Sequence, residues 1–221
     1  FFYNNCSTKP RDVVEKSING KVIYNEREDY EPSFRDMVRE CNRNHLWSKC
    51  GNDMLLCLKA DMKTNRSEQE FLPMNLMQDF AHPQIYKDGE YRPLVKEQRM
   101  LVMPGVQQIE PDFILTPTEI ALILLAISLA IALYEWRRKK IAKWYDVLLM
   151  TVQGLTGIVL TVMIFSHHPT TSLNLNLLLF NPLPLLFIPA IIKGKRGLWR
   201  KVQFSMLILF AIGGLFQSYA E

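Results

Sequence analysis

Apolar residues follow two different patterns along this 221-residue chain. Up to about residue 116 they recur at helical or alternating intervals among polar residues. From residue 117 onward they form long runs that are separated by short basic segments. The first pattern is typical of a mixed helical and sheet domain in water, and the second of helices in a lipid bilayer. The sequence therefore predicts an α+β domain over 1–103, a proline-containing linker over 104–117 and an α-helical membrane domain over 118–221.

Four apolar stretches predict the membrane spans. The first lacks the polar face that a buried helix of a soluble protein normally keeps, which favours a span over a core helix. Gly154 and Gly157 in the second would let a neighbouring helix approach closely. The third contains three prolines and three asparagines, so we expect it to be bent, broken or partly re-entrant. The predicted spans are about 118–136, 144–165, 173–192 and 202–219.

The basic residues of the membrane half set its predicted orientation. The chain up to residue 116 has 16 Lys and Arg against 18 Asp and Glu, whereas the remainder has 10 against 4. All ten of these later cations lie in 137–143 and 193–201, the two loops that flank the predicted spans. The positive-inside rule places both loops in the cytoplasm, with the N-terminal domain and the C-terminus outside. Their position beside the spans makes a nucleic-acid surface the weaker interpretation, so no nucleic-acid partner is expected.

Local signals predict the elements of the first domain. A helix starts within the polar residues that precede Asp12 and stops at Gly20, and a capping-box-like start at Ser33 introduces a second helix. A third helix is predicted over 47–58, and the signals at 67–70 and Pro73 introduce a short helix that ends at Phe80. The pair Asp88-Gly89 predicts a tight β-hairpin between 84–86 and 91–95.

The four cysteines, Cys6, Cys41, Cys50 and Cys57, have no CxxC spacing. A zinc site and a thioredoxin-like motif therefore lack support, and no other metal or nucleotide motif is visible, so no cofactor is expected. One disulfide among the last three can form in an oxidising compartment, but burial of these thiols as small apolar side chains is the simpler interpretation.

Cys6 is the candidate nucleophile. A thiol at a helix N-terminus lies near the positive end of the helix dipole and near unpaired N–H groups, which together stabilise a thiolate. The same N–H groups could hold the oxyanion that forms on an attacked acyl carbonyl, an effect of about 3 kcal/mol per donor. The alternative is a buried structural cysteine, and the spacing of residues does not decide between the two.

A thiol nucleophile also needs a base, which is usually a histidine. His45 and His82 show no local sign of catalysis. His167 and His168 lie in the predicted outer loop beside the asparagines of the third stretch, where polar groups at membrane depth favour contact with a headgroup or substrate; solvation in the loop is the alternative. The predicted substrate-binding residues are His168, Asn174, Asn176 and Asn181.

Six segments in both halves of the chain resemble, in order, the Lnb-type proteins of Bacteroidota, which join a periplasmic domain to membrane spans. They are 1–12 (FFYNNCSTKPRD), 51–58 (GNDMLLCL), 71–77 (FLPMNLM), 92–96 (RPLVK), 168–178 (HPTTSLNLNLL) and 181–183 (NPL).

This resemblance implies a permuted papain-like fold, similar to lecithin:retinol acyltransferase, in which a histidine strand precedes the helix that carries Asn-Cys. Asn5 and Cys6 match the nucleophile position, with Arg11 and Asp12 as supporting residues of the same segment. The implied activity is N-acylation of the N-terminal cysteine of bacterial lipoproteins through a thioester, with a membrane lipid as donor. The implied location is the bacterial inner membrane, with the N-terminal domain and the C-terminus in the periplasm.

Because the chain starts without methionine and shows no histidine segment before Phe1, we expect it to be the C-terminal part of a longer protein. On that expectation the base precedes Phe1, and this part by itself is inactive.

Two other functions fit the same residues. A cysteine hydrolase of the cell envelope, an amidase or a lipid esterase, would use Cys6 but pass the acyl group to water. A non-catalytic, membrane-anchored assembly protein would keep the spans and use Cys6 as a structural residue.

Overall fold

The chain folds as two units. One boundary between them, at 110/111, lies within the predicted linker over 104–117, whereas 38–62 is grouped with the second unit. We call 1–37 with 63–110 the thiol unit, and 38–62 with 111–221 the membrane unit. The structure, a computed structural model, describes residues 2–25, 31–102, 105, 111–166 and 174–219, the last five of these by their backbone.

The thiol unit combines short helices with a small sheet, as the sequence predicts. Its helices include α1 (Thr8–Ser17), α4 (Arg66–Gln69) and α5 (Pro73–Ala81), and α2 (Phe34–Cys41) begins in it. The strands β1 (Lys21–Ile23), β2 (Gln84–Lys87) and β3 (Glu90–Pro93) form an antiparallel sheet in the order β1-β2-β3. The short strand β1 was not predicted.

Three phenylalanine rings form the centre of the thiol unit. Phe34 and Phe71 are buried, and the ring of Phe2 stacks on Phe34 with the ring centres 4.6 Å apart. Phe2 also meets Phe71 edge to face at 4.9 Å. Edge-to-face and offset-stacked arrangements are the favourable geometries for aromatic pairs. This cluster fixes the N-terminal segment, and with it the start of α1, against α2 and the turn before α5.

The predicted helix start at Ser33 and the predicted tight turn at Asp88-Gly89 are confirmed. The side chain of Asp36 accepts hydrogen bonds from the backbone N–H and the hydroxyl of Ser33, while the Ser33 hydroxyl accepts from the Asp36 N–H at 3.1 Å. At the hairpin, Asp88 and Gly89 both have positive φ, +50° and +90°, which the tight turn between β2 and β3 requires.

Two predicted helices are wrong in extent. The start signals at 67–70 and Pro73 belong to two helices rather than one: Asn65 and Glu68 form a complete capping box at the start of α4, and Pro73 starts α5, which ends at Ala81, one residue after the predicted Phe80. The helix expected over 47–58 is α3 (Leu46–Leu55), which is followed by a short 3₁₀ helix at Leu58–Asp61.

All four cysteines are free thiols in the structure. Cys57 is buried, which agrees with the interpretation as a small apolar side chain, whereas Cys41 is exposed and Cys50 is half-buried.

Long apolar helices dominate the membrane unit. The helices α6 (Pro117–Arg138) and α7 (Lys143–Ile164) have 22 residues each, and they are the two described helices that are long and apolar enough to cross a membrane. At 1.5 Å per residue each is about 33 Å long, against about 30 Å of hydrocarbon in a bilayer. The last helix, α10 (Gly197–Tyr219), has 23 residues.

The third apolar stretch is broken, as predicted. It consists of α8 (Asn176–Leu179) and α9 (Leu183–Ile192), with Asn181 and Pro182 between them. The predicted close approach at the two glycines is also found: a Cβ at Gly157 would overlap the backbone of Asn181, and one at Gly154 would overlap the side chain of Leu185. The break is thus packed against α7 at positions where a side chain has no room.

The two basic loops lie at the same end of the membrane unit. Lys143 at the start of α7 donates to the carbonyl oxygen of Ile192 at the end of α9, 2.8 Å away. Arg196 forms an ion pair with Asp146 of α7, and Glu135 near the end of α6 lies 3.8 Å from the Arg196 guanidinium.

Residues 38–62 pack at the other end of α6, where that helix begins. The Trp47 indole N–H donates to the carbonyl oxygen of Leu115 at 2.8 Å, and the Trp47 backbone N–H donates to Asp112. The Asp112 carboxylate accepts hydrogen bonds from the backbone N–H groups of Phe113, Trp47 and Leu46. These bonds, first of all the one from Phe113, keep the pKa of Asp112 below its usual value. These contacts explain why 38–62 belongs with the helices rather than with the predicted domain over 1–103.

Candidate functional site

Cys6 lies in the first turn of the segment that leads into α1, and it is exposed. The helical hydrogen-bond pattern starts at Asn5, whose carbonyl oxygen accepts from Lys9 N–H at 3.2 Å. Ser7, the residue before α1, already has helical dihedral angles. Ser7 and Thr8, which follow Cys6, are buried, so the backbone next to the thiol is fixed by packing. The thiol has no hydrogen-bond partner among the residues that the structure describes.

Asn5 holds this turn in place through its side chain. Its Oδ1 accepts from the N–H groups of Ser7 and Thr8 at 2.8 and 3.0 Å, and its own N–H donates to the Thr8 hydroxyl at 2.8 Å. Its Nδ2 donates to the carbonyl oxygen of Phe71, 66 residues further along the chain, at 2.8 Å. The same side chain therefore caps the helix and ties Cys6 to the core.

Arg11 makes a second connection between α1 and the α4 region. Its guanidinium donates to the carbonyl oxygen and hydroxyl of Ser67 at 2.8 and 2.7 Å, to Glu70 at 2.8 Å and to Asp12 at 2.7 Å. The Arg11 side chain is 11% exposed and that of Glu70 is fully buried, so this is a buried ion pair. Such pairs fix geometry, because removing one partner leaves the other charge buried and unpaired.

Glu70 is shared by two arginines, since Arg66 also pairs with it and lies 3.8 Å from the buried Asp79. Burial raises the pKa of Glu70 above its usual value, and a hydrogen bond with Asp79 also raises it. The two arginines act in the opposite direction and lower it. The sequence marked Ser67 and Glu70 as part of a helix start signal and not as partners of Arg11. Nothing in their local spacing indicates that Arg11, more than 55 residues away, binds both.

Tyr24 covers the other side of this cluster. The Arg66 guanidinium lies 3.5 Å from the centre of the Tyr24 ring, a cation–π contact, and the Tyr24 hydroxyl donates to Glu15 of α1. Burial, followed by this hydrogen bond to a carboxylate, raises the pKa of Tyr24. α1 is thus attached to the rest of the thiol unit through Arg11 and Glu15, one turn apart.

The described histidines do not contact Cys6. His82 is exposed at the end of α5, and His45 precedes α3 in the membrane unit without a side-chain capping bond. His167 and His168 lie outside the described residues. The proposed base therefore has no described candidate in hydrogen-bonding contact with the thiol.

The predicted substrate asparagines already have partners within the membrane unit. Asn174 donates to the carbonyl oxygens of Met54 and Leu55, and Asn176 donates to Met54, at the C-terminal end of α3. Asn181 accepts from Leu183 N–H at 3.1 Å and is buried in the break between α8 and α9. These amides satisfy backbone groups that helix ends leave open.

Within the described part of the chain, no cluster of His, Cys, Asp and Glu could hold a metal ion. The chemistry that the thiol unit offers is that of an exposed, positioned thiol beside the N–H groups of a helix start.

Comparison with known proteins decides the family. Residues 108–221 match the family model described as the Lnb transmembrane domain, which covers more than half of the chain. The chain belongs to the Lnb family. It is therefore a membrane protein, in agreement with α6 and α7. No curated protein and no solved structure matches it.

The Lnb match begins at residue 108 and so leaves 1–107, which include Cys6, outside it. Membership of the Lnb family therefore rests on the part of the chain that contains α6 to α10 and the broken third stretch. The papain-like fold implied for the first domain stays a prediction.

Proposed function

We propose that this Lnb-family protein is a membrane-bound acyltransferase that uses Cys6 as its nucleophile. Its product is the amide-linked acyl chain on the N-terminal cysteine of bacterial lipoproteins. The observation that carries the proposal is the exposed thiol of Cys6, held in a helix start by Asn5, in a chain whose other half is the Lnb transmembrane domain. A structural cysteine has no need of exposure or of a fixed turn.

The reaction has two steps. In the first, the Cys6 Sγ attacks the ester carbonyl of a membrane lipid; a thioester forms, the ester C–O bond breaks and the lipid alcohol leaves with a proton. In the second, the free amine of the lipoprotein attacks the thioester; the amide forms, the C–S bond breaks and the thiol regains a proton. Because Asn5 already binds the N–H groups of Ser7 and Thr8, the donor at the helix start that stabilises the oxyanion in both steps is the Cys6 N–H.

Asn5 and Arg11 are positioning residues in this account. Asn5 sets the turn that carries the thiol, and Arg11 holds α1 onto Ser67 and Glu70. The papain-related pattern takes its base from a histidine strand ahead of the Asn-Cys helix, so activity is tested on the protein as its own cells make it.

A membrane location suits this reaction, because donor and acceptor are both lipids that stay in a bilayer. We place the protein in the bacterial inner membrane with four crossings and with the thiol unit in the periplasm. Support comes from the membrane unit itself: both basic loops meet at one end, whereas Trp47 and its neighbours pack at the other end of α6.

The thioester is the step to test. Membranes from cells that make the protein are incubated with a phospholipid that carries an alkyne-tagged acyl chain, and label on the protein is followed with and without hydroxylamine. The proposal predicts hydroxylamine-sensitive label that is lost in Cys6→Ala and kept in Cys41→Ala, a control that removes another exposed thiol. Label that persists in Cys6→Ala would contradict it. Release of the acyl chain as free fatty acid, with no amide on any lipoprotein, would assign a hydrolase instead.

A further inference from the structure

A cavity of about 280 Å³ lies in the membrane unit between α7, α9 and α10, at the end where the two basic loops meet. Leu149, Met150 and Ile191 form its apolar wall, and Asp146, Arg196 and Arg200 are its charged residues. Its volume is near the lower end of the range for small-molecule sites, enough for a headgroup but not for a whole lipid.

Two arginines and one aspartate line this cavity, and Glu135 of α6, outside the lining, lies 3.8 Å from Arg196. Arg196 is paired with Asp146, and its Nε is buried with no hydrogen-bond partner among the described residues. Arg200 is exposed and has no carboxylate partner in the described part of the chain. A buried donor without a partner is costly, so an acceptor brought by a ligand would satisfy it.

A second, open groove of about 630 Å³ adjoins this cavity along α10. The two share Trp199, Arg200 and Gln203, and the groove continues to Phe204 and Leu207. Positions 200, 203, 204 and 207 lie on one face of a helix.

Along this face the side chains change from charged to polar to apolar, in the order Arg200, Gln203, Phe204 and Leu207. Leu207 is about 10 Å further along the helix axis than Arg200. A glycerophospholipid has the same order of groups: a charged phosphate, then the polar ester region, then an apolar acyl chain.

We propose that this cavity and groove bind one anionic glycerophospholipid from the leaflet that faces the basic loops. The phosphate contacts Arg196 and Arg200, and one acyl chain lies along Phe204 and Leu207. Basic pockets between membrane helices are known binding places for anionic headgroups. The site does not depend on the acyl transfer proposed above, because none of its residues belongs to the thiol unit.

Native mass spectrometry of the whole chain from detergent micelles tests this, with phosphatidylglycerol and phosphatidylcholine as the added lipids. The key variant is Arg200→Gln, which breaks no ion pair of the described residues. Lys195→Gln is the matched control, since it removes a cation from the same basic segment, 193–201, but not from the cavity. Thermal unfolding without lipid checks that both variants fold.

The proposal expects the unchanged chain to bind phosphatidylglycerol at least about fivefold more tightly than phosphatidylcholine, and Arg200→Gln to lose about fivefold of that binding. Lys195→Gln should match the unchanged chain. Equal binding of the two lipids, unchanged binding in Arg200→Gln, or equal losses in both variants would overturn it. If millimolar inorganic phosphate displaces the lipid, the site is one for a free anion, and the lipid assignment is overturned.

Discussion

Asn174 donates its side-chain amide to the carbonyl oxygen of Met54, 120 residues earlier in the chain, at a distance of 2.6 Å. Together with Asn176 it closes the C-terminal end of α3, where the last carbonyl groups have no partner within the helix. The sequence predicted both asparagines as substrate contacts. Their geometry gives them a second task, which is to dock 38–62 onto the membrane helices.

Replacing Asn174 by alanine should therefore loosen α3. We expect a loss of about 1–3 kcal/mol of local stability, because two carbonyl oxygens lose their donor. Hydrogen exchange of the backbone amides in 46–55 is the measurement, and exchange should become faster. Asn44→Ala, at an exposed asparagine of the same unit, is the control and should leave exchange unchanged. If Asn174 serves substrate alone, activity falls while exchange in α3 stays as it was.

The break in the third apolar stretch should depend on Gly157. In Gly157→Ala the new methyl group overlaps the backbone of Asn181, which has no free rotation to move away. We expect a destabilisation of about 1–3 kcal/mol or more. Gly214→Ala is the matched control, since that position in α10 has open space around it and alanine favours a helix. Equal thermal unfolding midpoints for the two variants would contradict this packing.

Asn5 should act on activity through position rather than chemistry. Asn5→Ala removes the cap of α1 and the bond to Phe71, so we expect a loss of about 1–2 kcal/mol and at least about a tenfold lower rate. Asn5→Asp keeps the acceptor for Ser7 and Thr8 but loses the donor to Phe71. Its rate should therefore lie between that of Asn5→Ala and that of the unchanged chain. Asn4→Ala, at the exposed neighbour, is the control. A rate in Asn5→Ala equal to that of the control would remove Asn5 from the site.

Tyr24 should make the thiol unit sensitive to alkaline pH. Its pKa is raised in the folded state, so above about pH 10 the unfolded chain loses the phenol proton while the folded chain keeps it. Its contribution to stability is therefore present below about pH 10 and is lost as the pH rises further. We expect the drop in unfolding midpoint between pH 8 and pH 10.5 to be smaller in Tyr24→Phe than in the unchanged chain. Identical drops would show that the phenol does not titrate differently on folding.

Structural elements that depend on residues adjacent in the sequence could be predicted from the sequence alone. The length of the apolar runs gave α6 and α7, the prolines gave the broken stretch, and Asp88-Gly89 gave the hairpin. Each of these rests on a local preference of the backbone or on a period of side chains. The same reasoning placed Cys6 at a helix start.

Contacts between distant parts of the chain were not accessible in this way. The bond from Asn5 to Phe71 and that from Arg11 to Glu70 join residues 66 and 59 positions apart. The docking of 38–62 onto the membrane helices spans up to 122 positions. No local pattern marks these partners, since an asparagine amide or an arginine can satisfy any carbonyl or carboxylate that folding brings near.

The most direct test of the account is mass spectrometry of lipoproteins from cells whose own gene for this protein encodes Cys6→Ala. The account predicts that their N-terminal cysteine lacks the amide-linked acyl chain, while Cys41→Ala cells, matched for protein level in the membrane, carry it in full. An amide-linked chain on the lipoproteins of Cys6→Ala cells, at the level seen in the Cys41→Ala cells, would contradict the thiol mechanism.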